Sequence, residues 1–425
     1  MGEYEKNNNT IAVCGAGIAG IATAYYLLQK QSDCRVILID KNQALSFTTS
    51  KSGENFRDFW PQKCMTEFSS HSIDLMKILK NEHGAQAFDM NFSGYDFVSF
   101  DEDKPVFLTH TEEVFDNVIE KITEPETIRS QHPYLSEHVR KIVRIKNAGN
   151  IDVYAMGMSM LAAARKSGLQ LLKGEISDIH KNTSGFQIIL NNNETVTART
   201  IVIAAGPFIG HIAGMLGIRL PIENILQQKF MVPDPAKVIP TDMPFTIYAD
   251  SQYLDWSEEE RAFFAADEKY EWLLNEFPGG LHIKPESGKI KLGWAFNTVA
   301  APPVWEPATL ELFPQVVLKG ASRFIPQLID YQDSIPSPIM QYAGYYTRTK
   351  ENFPLIGPTE MSGVFLVGAL AGYGTMTACA AGELCAKYIL NETKFPDYAR
   401  YFHPLRYDNT DLMNEINDSM SDGQL

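Results

Sequence analysis

Residues 10–20 read TIAVCGAGIAG, a short apolar stretch followed by the pattern Gly-x-Gly-x-x-Gly. The β-branched residues of the apolar part favour a buried parallel strand, and the residues from Ile21 to Lys30 favour a helix. Gly15 allows a tight turn, Gly17 lets a pyrophosphate approach the backbone, and Gly20 lets the helix pack against the strand. The stretch therefore predicts a nucleotide-binding turn at the start of a βαβ unit.

A second β-branched run, Arg35 to Ile39, ends at Asp40, 20 residues beyond Gly20. A carboxylate at the end of this strand accepts hydrogen bonds from the ribose hydroxyls of a dinucleotide. The start of the preceding helix supplies free backbone N–H groups for the phosphates. Because the charge of Asp40 would repel a 2′-phosphate, these residues indicate FAD or NAD rather than NADP.

The composition is that of an ordinary globular protein, with 425 residues, 44% of them hydrophobic and 21% charged. The net charge is −15, since 52 acidic residues outnumber 37 lysines and arginines, and this argues against a nucleic-acid partner. The five cysteines show no CxxC pair and no metal-ligand spacing. We therefore expect reduced thiols in a cytoplasmic protein and no metal site. The sequence leaves the oligomeric state open.

Two stretches without a charged residue, 7–29 and 361–382, are each long enough to cross a bilayer. Clustered glycines interrupt both stretches, and glycines two or three residues apart are typical of a turn between a strand and a helix. The residues before the first stretch carry a net negative charge, which makes a poor signal peptide. We predict two buried strand–loop–helix units and no membrane span.

Further segments follow in a characteristic order: SKSGENFR at 50–57, TIVIAAGPF at 200–208, GLHIKPE at 280–286, FPLIGP at 353–358 and GALAGYGTM at 368–376. Together with GAGIAG and Asp40, they resemble the D-amino-acid oxidase superfamily of flavoproteins, which includes glycine, sarcosine and dimethylglycine oxidoreductases. The resemblance covers Thr10 to about Leu390. It implies an α/β fold, with a Rossmann-type FAD-binding domain and a discontinuous α+β substrate domain built on a mixed β-sheet.

The resemblance also implies a domain organisation. The FAD-binding domain is expected to take residues 1–90, 145–218 and 350–395, and the substrate domain 91–144 and 219–349. Residues 396–425 are expected to form a C-terminal tail. The acidic run from Asp408 onward lacks apolar periodicity, so we expect it to be frayed.

The cofactor-binding residues that the resemblance implies come from the glycine turn, the end of the second strand, the polar segment, the adenine position, the third strand and the C-terminal glycine loop. They are Gly15, Gly17, Ile18, Ala19, Gly20, Asp40, Lys41, Ser50, Lys51, Asn55, Ile176, Ala205, Gly206, Gly372, Tyr373, Gly374, Thr375 and Met376. In the covalent sarcosine oxidases a cysteine in the segment that here reads Gly344-Tyr345-Tyr346 holds the flavin. This segment has no thiol, so we expect non-covalent FAD.

The activity that the resemblance implies is oxidation of the C–N bond of an amino acid or N-methylated amino acid, by hydride transfer to the flavin N5. A carboxylate substrate calls for a cation, preferably the planar fork of an arginine. Arg57 and Arg348 are the candidates, and Tyr346 is the alternative to Arg348, because the resemblance allows either residue at that position. We therefore expect Arg57, Arg348 and Tyr346 to be the catalytic-site residues.

Two other functions stay open at this point. One is a FAD-dependent 2-hydroxy-acid dehydrogenase of the same fold, and the other is a flavoprotein with structural FAD and a partner-binding role. The electron acceptor is open between O2 and a quinone or electron carrier. Met376 stands where the covalent sarcosine oxidases carry a lysine, which allows a dehydrogenase as well as an oxidase.

Overall fold

The computed structural model describes residues 9–31, 33–106 and 118–419. The strands are β1 Thr10–Cys14, β2 Arg35–Asp40, β3 Asn55–Arg57, β4 Met90–Asn91, β5 Tyr95–Ser99, β6 Ile119–Ile122, β7 Lys141–Ile145, β8 Ala148–Ile151, β9 Gln170–Lys173, β10 Ile176–Asn182, β11 Gly185–Leu190, β12 Thr195–Ala198, β13 Thr200–Ile203, β14 Glu223–Pro233, β15 Phe245–Tyr248, β16 Leu281–Glu286, β17 Lys289–Trp294, β18 Met340–Arg348, β19 Leu355–Pro358 and β20 Val364–Gly368. The helices are α1 Ile18–Lys30, α2 Lys63–His83, α3 Pro125–Gln131, α4 Val153–Lys166, α5 Ile209–Met215, α6 Glu258–Ala265, α7 Phe313–Ala321, α8 Gly374–Ile389, α9 Ala399–Phe402 and α10 Thr410–Asp418.

The first large sheet is built around β1, whose five residues are all buried. Its strand order is β19-β20-β13-β1-β2-β9, and every neighbouring pair is parallel except β19-β20. Helices α1, α4 and α8 cover one face, while α5 and the antiparallel sheet β10-β11-β12 cover the other. This is the Rossmann-type sheet that the glycine pattern predicts. The two predicted strand–loop–helix units are confirmed as β1–α1 and β20–α8.

The second large sheet has eight strands in the order β18-β14-β17-β16-β15-β5-β7-β6. It is mixed, because β15 and β5 are parallel while the other pairs are antiparallel. Along β14, Phe230 and Val232 point into the core beneath α7, whereas Gln227 and Lys229 lie on the opposite face. The expected mixed sheet is confirmed, and the domain boundaries stay a prediction.

A small sheet, β3-β8-β4, lies outside the two large ones. It holds the end of the SKSGENFR segment, because β3 begins at Asn55 and pairs with β8. Within the residues that the structure describes, every helix is too short or too polar to cross a bilayer.

The C-terminal part of the chain is folded up to residue 419, so the expectation of a frayed tail is wrong there. Asn409 caps α10, since its side chain accepts a hydrogen bond from the backbone N–H of Leu412 at 3.0 Å. Leu412 and Ile416, four residues apart, lie on one face of α10 and are buried in the core. Two apolar residues on one face are enough to pack α10 against the core. The other residues of the helix are mostly polar or acidic, so the sequence shows no clear apolar periodicity. Residues 420–425 lie outside the described part.

Candidate cofactor and substrate site

A cavity of about 730 Å³ lies between the carboxyl ends of the parallel strands and one face of the eight-stranded sheet. Its wall combines the glycine turn before α1, the end of β2, the polar segment before β3, strands β14 and β18, and the glycine loop before α8. The carboxyl edge of a doubly wound sheet is where such folds bind their ligands. The fold thus joins segments that are far apart in the sequence into one site.

Most of the predicted cofactor residues line this cavity. They are Gly15, Gly17, Ile18, Ala19, Asp40, Lys41, Lys51, Ile176, Ala205, Gly206, Gly372, Gly374 and Thr375. The structure does not bring the other five to the wall, namely Gly20, Ser50, Asn55, Tyr373 and Met376. Ser50 donates to the carbonyl of Phe47, and the phenol of Tyr373 donates to the carbonyl of Asn352. Their roles toward a cofactor stay predictions.

The glycine turn has the shape of a phosphate cradle. Gly15 has a φ of +113°, and a Cβ there would stand 2.4 Å from the carbonyl oxygen of Ala204. A Cβ on Gly17 would meet nothing nearer than the Oγ1 of Thr49 at 3.6 Å, so the open space above Gly17 belongs to the cavity. The first turn of α1 holds no acidic residue, and its N-cap has no side-chain hydrogen bond. These residues fit a bound pyrophosphate.

The end of β2 carries the acid expected at the ribose. The Oδ2 of Asp40 accepts a hydrogen bond from the backbone N–H of Ala16 at 2.7 Å, and its Oδ1 accepts one from Asn42 at 2.8 Å. Burial raises the pKa of Asp40, while these two bonds oppose the rise. Next to it, Lys41 pairs with Glu175 at 2.9 Å. The carboxylate lies in the cavity wall with further acceptor sites on both oxygens.

The start of α8 forms the far end of the cavity. Its first turn has no acidic residue and no side-chain cap, so its N-terminus can stabilise negative charge. The hydroxyl oxygens of Thr375 and Ser52 lie 2.6 Å apart, which ties this helix to the polar segment. A Cβ on Gly372 would stand 2.6 Å from the Cζ of Tyr346, so this loop and β18 are in close contact.

Alternate residues of two strands form the wall on the side of the eight-stranded sheet. They are Gln227 and Lys229 on β14 and Tyr342, Gly344 and Tyr346 on β18. The Nζ of Lys229 lies 5.7 Å from the centroid of the Tyr346 ring. Sequence reasoning identified Tyr346 but missed Lys229. No alternation of apolar and polar residues in β14 marks it, because Gln227, Gln228 and Lys229 follow one another in the sequence.

The two predicted arginines do not line the cavity. Arg57 is 3% exposed, and its guanidinium carbon lies 4.2 Å from the centroid of the Trp60 ring and 5.3 Å from that of Phe97. Arg348 lies at the very end of β18, where its Nε donates to the Oε1 of Glu223 at 2.8 Å. Of the three residues expected at the catalytic site, Tyr346 is therefore the one in the cavity wall.

A cluster of aromatic side chains lies in the cavity wall beside the glycine turn. The Trp305 ring stacks on that of Phe208 at 4.2 Å and meets the Phe47 ring edge-on at 4.9 Å. The loop that carries Trp305 is held to β18, because the Val304 N–H donates to the phenol of Tyr345 at 3.0 Å. The sequence offered no signal for Trp305, since its loop has no regular secondary structure.

A Rossmann-type sheet that faces a mixed sheet across a phosphate cradle is typical of oxidoreductases with a nucleotide cofactor. The chain matches the family model described as FAD dependent oxidoreductase (DAO) over residues 10–388, and it belongs to this family. The expected family, the FAD cofactor and the oxidoreductase class are thereby confirmed.

Several solved structures have a similar fold. They include L-proline dehydrogenase from P. horikoshii (21% identity, TM-score 0.73, covering 95% of this chain and 98% of that one), glycine oxidase from Geobacillus kaustophilus (17%, 0.71, 93% and 98%) and iminodiacetate oxidase from Chelativorans sp. BNC1 (16%, 0.68, 93% and 98%). At these identities the likeness concerns the fold alone. A comparison with curated proteins gave no match.

Proposed function

We propose that this protein oxidises the C–N bond of an amino acid or an N-methylated amino acid. The observation that carries this function is the corner of the cavity where Gly372, Tyr346 and Lys229 meet, because it joins the predicted flavin loop to an aromatic wall and a cation. Bound FAD supplies the hydride acceptor at its N5 atom. The fold shared with a proline dehydrogenase, a glycine oxidase and an iminodiacetate oxidase supports an amino-acid substrate.

The chain's own residues would bind and orient the substrate and leave proton transfer to the substrate itself. No protein acid or base is required if the amine arrives neutral. The nearby His282 is not in the cavity wall, so it is not placed to exchange a proton with a substrate there. Burial, and then the charge of Lys229, lowers the pKa of His282 to about 3, so the imidazole is neutral at neutral pH. Its Nδ1 lies 3.0 Å from the carbonyl oxygen of Gly280.

We infer further that the FAD is held without a covalent bond. Gly344 on β18 offers no nucleophile. Cys14 lines the cavity, but burial raises the pKa of its thiol to about 12, so it stays protonated and unreactive. Acid precipitation of the purified protein should release the yellow colour into the supernatant, and colour that stays in the pellet would contradict this.

The experiment that tests the function is anaerobic mixing of the purified holoenzyme with two matched panels. One panel holds amino acids and their N-methyl derivatives, and the other holds the 2-hydroxy acids with the same side chains. Members of the first panel are expected to bleach the flavin. Bleaching by hydroxy acids alone would identify a hydroxy-acid dehydrogenase, and a flavin that neither panel reduces would indicate a structural FAD.

A further inference from the structure

Lys229 lies in the middle of β14, with its side chain on the cavity side of the sheet. Its partners across the strands are Gly293 on β17 and Tyr342 on β18. A Cβ on Gly293 would stand 2.8 Å from the Cγ of Lys229, and a Cβ on Gly53 would stand 3.7 Å from its Cε. Because Gly293 has no side chain, the stem of Lys229 has room beside it and extends between the two glycines.

Two other lysines on this face are neutralised by carboxylates. Lys291 pairs with Glu54 at 3.2 Å and with Glu286 at 3.1 Å, and Lys284 pairs with Glu286 at 3.0 Å. Lys229, by contrast, makes no ion pair and no hydrogen bond with any residue in the described part of the chain. A partly buried ammonium without a counter-charge is costly, so an anion that reaches it is bound more strongly.

The groups around Lys229 supply no negative charge. The Nε2 of His282 would stand 2.4 Å from a Cβ on Gly293, so the imidazole shares the same gap, and its pKa of about 3 keeps it neutral. Burial raises the pKa of Tyr342, which keeps that phenol neutral as well. Tyr346 offers the face of its ring, a weak attraction compared with a full charge. The negative charge that neutralises the Lys229 ammonium therefore has to be supplied by a molecule bound in the cavity.

The remaining lysines in the cavity wall lie elsewhere. Lys41 already pairs with Glu175 at the end of β2. Lys51 ends the short turn Thr48–Lys51 in the polar segment before β3. Its Cβ stands 3.1 Å from the position of a Cβ on Gly344. Lys229 is the lysine of the cavity wall whose ammonium lies at the Tyr346 ring, 5.7 Å from its centroid.

We propose that Lys229 binds the carboxylate of the substrate. The site would then take small amino acids that carry a free carboxylate. This role of Lys229 rests on the proposed function. The ammonium takes the place that sequence reasoning gave to an arginine. It acts as a point charge on a flexible stem, so it accepts a carboxylate over a wider range of angles than a guanidinium fork does. Tyr346 forms the adjacent wall and limits the room for a side chain.

Titration of the holoenzyme with propionate, a small carboxylate without an oxidisable C–N bond, tests this role. Propionamide is the neutral analogue, and both are followed through the change in the visible spectrum of the flavin. In Lys229→Met the Kd for propionate is expected to rise at least about tenfold, because a charge-assisted contact is lost, while the Kd for propionamide stays the same. Lys229→Arg is expected to retain part of the propionate affinity.

The matched control is Arg348→Met, which removes a cation from the neighbouring strand outside the cavity wall and should leave the Kd for propionate unchanged. Three results would each overturn the proposal. They are an equal affinity for propionate in Lys229→Met and wild type, a loss of propionate affinity in Arg348→Met instead, and no propionate binding by the wild type. If Lys229→Met loses its FAD, Lys229→Gln is titrated in its place with the same expected loss.

The outcome separates this role from the proposed function. Propionate binding that depends on Lys229, in a protein that no amine reduces, would support the anion site and refute C–N oxidation. Reduction by an amino acid with the same KM in wild type and Lys229→Met would support the oxidation and refute the anion site.

Discussion

A Cβ placed on Gly20 would stand 1.9 Å from the carbonyl oxygen of Gly15, so the first turn of α1 touches the turn before it without room for a side chain. Gly17, three residues earlier, is different, because a Cβ there would find only ordinary contacts within the protein. Two glycines of one motif thus have different purposes. Gly20 is required by packing, whereas Gly17 is predicted to be required by the ligand.

Alanine substitutions separate these two purposes. Gly20→Ala is expected to lower the free energy of unfolding of the apo-protein by about 3 kcal/mol or more, since backbone must move. Gly17→Ala is expected to cost less than about 1 kcal/mol in the apo-protein but to abolish FAD binding. Urea unfolding and FAD titration measure both quantities. A Gly17→Ala protein with normal FAD affinity would show that the cradle has been misassigned.

The ring of Trp305 is expected to help retain the cofactor, because it closes the cavity wall together with Phe208 and Phe47. Trp305→Ala removes both ring contacts and should weaken FAD binding about tenfold. Trp305→Phe keeps an aromatic ring, so its Kd for FAD should lie between those of Trp305→Ala and the wild type. Flavin fluorescence gives the Kd for FAD, and equal values in all three proteins would argue against the role.

The folded C-terminal segment is expected to contribute to stability through a buried ion pair. Arg406 is fully buried, and its guanidinium donates to Glu351 at 2.9 Å and to the carbonyl of Pro354 at 2.8 Å. Arg406→Met leaves the buried carboxylate of Glu351 without a counter-charge, although the phenol of Tyr407 still donates to it at 2.7 Å, so the change should cost about 3–5 kcal/mol. The double variant Arg406→Met/Glu351→Met should recover much of this loss. Chemical unfolding measures both, and a single-variant loss below about 1 kcal/mol would contradict the account.

The stability of the protein is expected to depend on the titration of His282. Its folded pKa is lowered to about 3, first by burial and then by the charge of Lys229, whereas an unfolded histidine titrates near about 6.5. Between these values the unfolded chain binds a proton that the native state does not. The contribution of neutral His282 to the free energy of unfolding is therefore fully present above about pH 6.5. Below that pH it falls by up to about 1.4 kcal/mol for each pH unit.

Unfolding free energies of wild type and His282→Gln, measured over this pH range, check this dependence. The variant should lose less stability than the wild type on acidification. Lys229→Met should show a weaker dependence toward the acid end, since removal of the lysine charge raises the pKa of His282. Parallel curves for wild type and His282→Gln would mean that other groups account for the pH dependence.

The sequence was sufficient to indicate the glycine turn and Asp40, which line the cavity, because the constraints on them are local. The glycine turn and Asp40 stand at fixed distances along the chain, and steric limits on Gly15 and Gly20 leave few alternatives to the turn that forms. The mixed sheet of the second domain was predicted from the family resemblance. Neither source required knowledge of which strands pair across the second sheet.

The substrate half depends on that pairing, and it could not be read from the sequence. Lys229 faces the cavity because β14 lies between β17 and β18, with glycine at the opposing position of β17. Arg348 is two residues beyond Tyr346 on β18, and this distance takes it past the cavity to Glu223. Strand length and tertiary position, rather than residue type, thus determine which of the two residues lines the cavity.

The most direct test of C–N oxidation is the amount of oxidation product formed for each flavin reduced, in a single anaerobic turnover with the amino acid that bleaches the enzyme fastest. We expect one equivalent of product per flavin: after hydrolysis of the imine by water, ammonia or an amine together with the matching carbonyl compound, or the cyclic imine itself when the substrate is a ring. A fully reduced flavin without any such product would contradict this expectation.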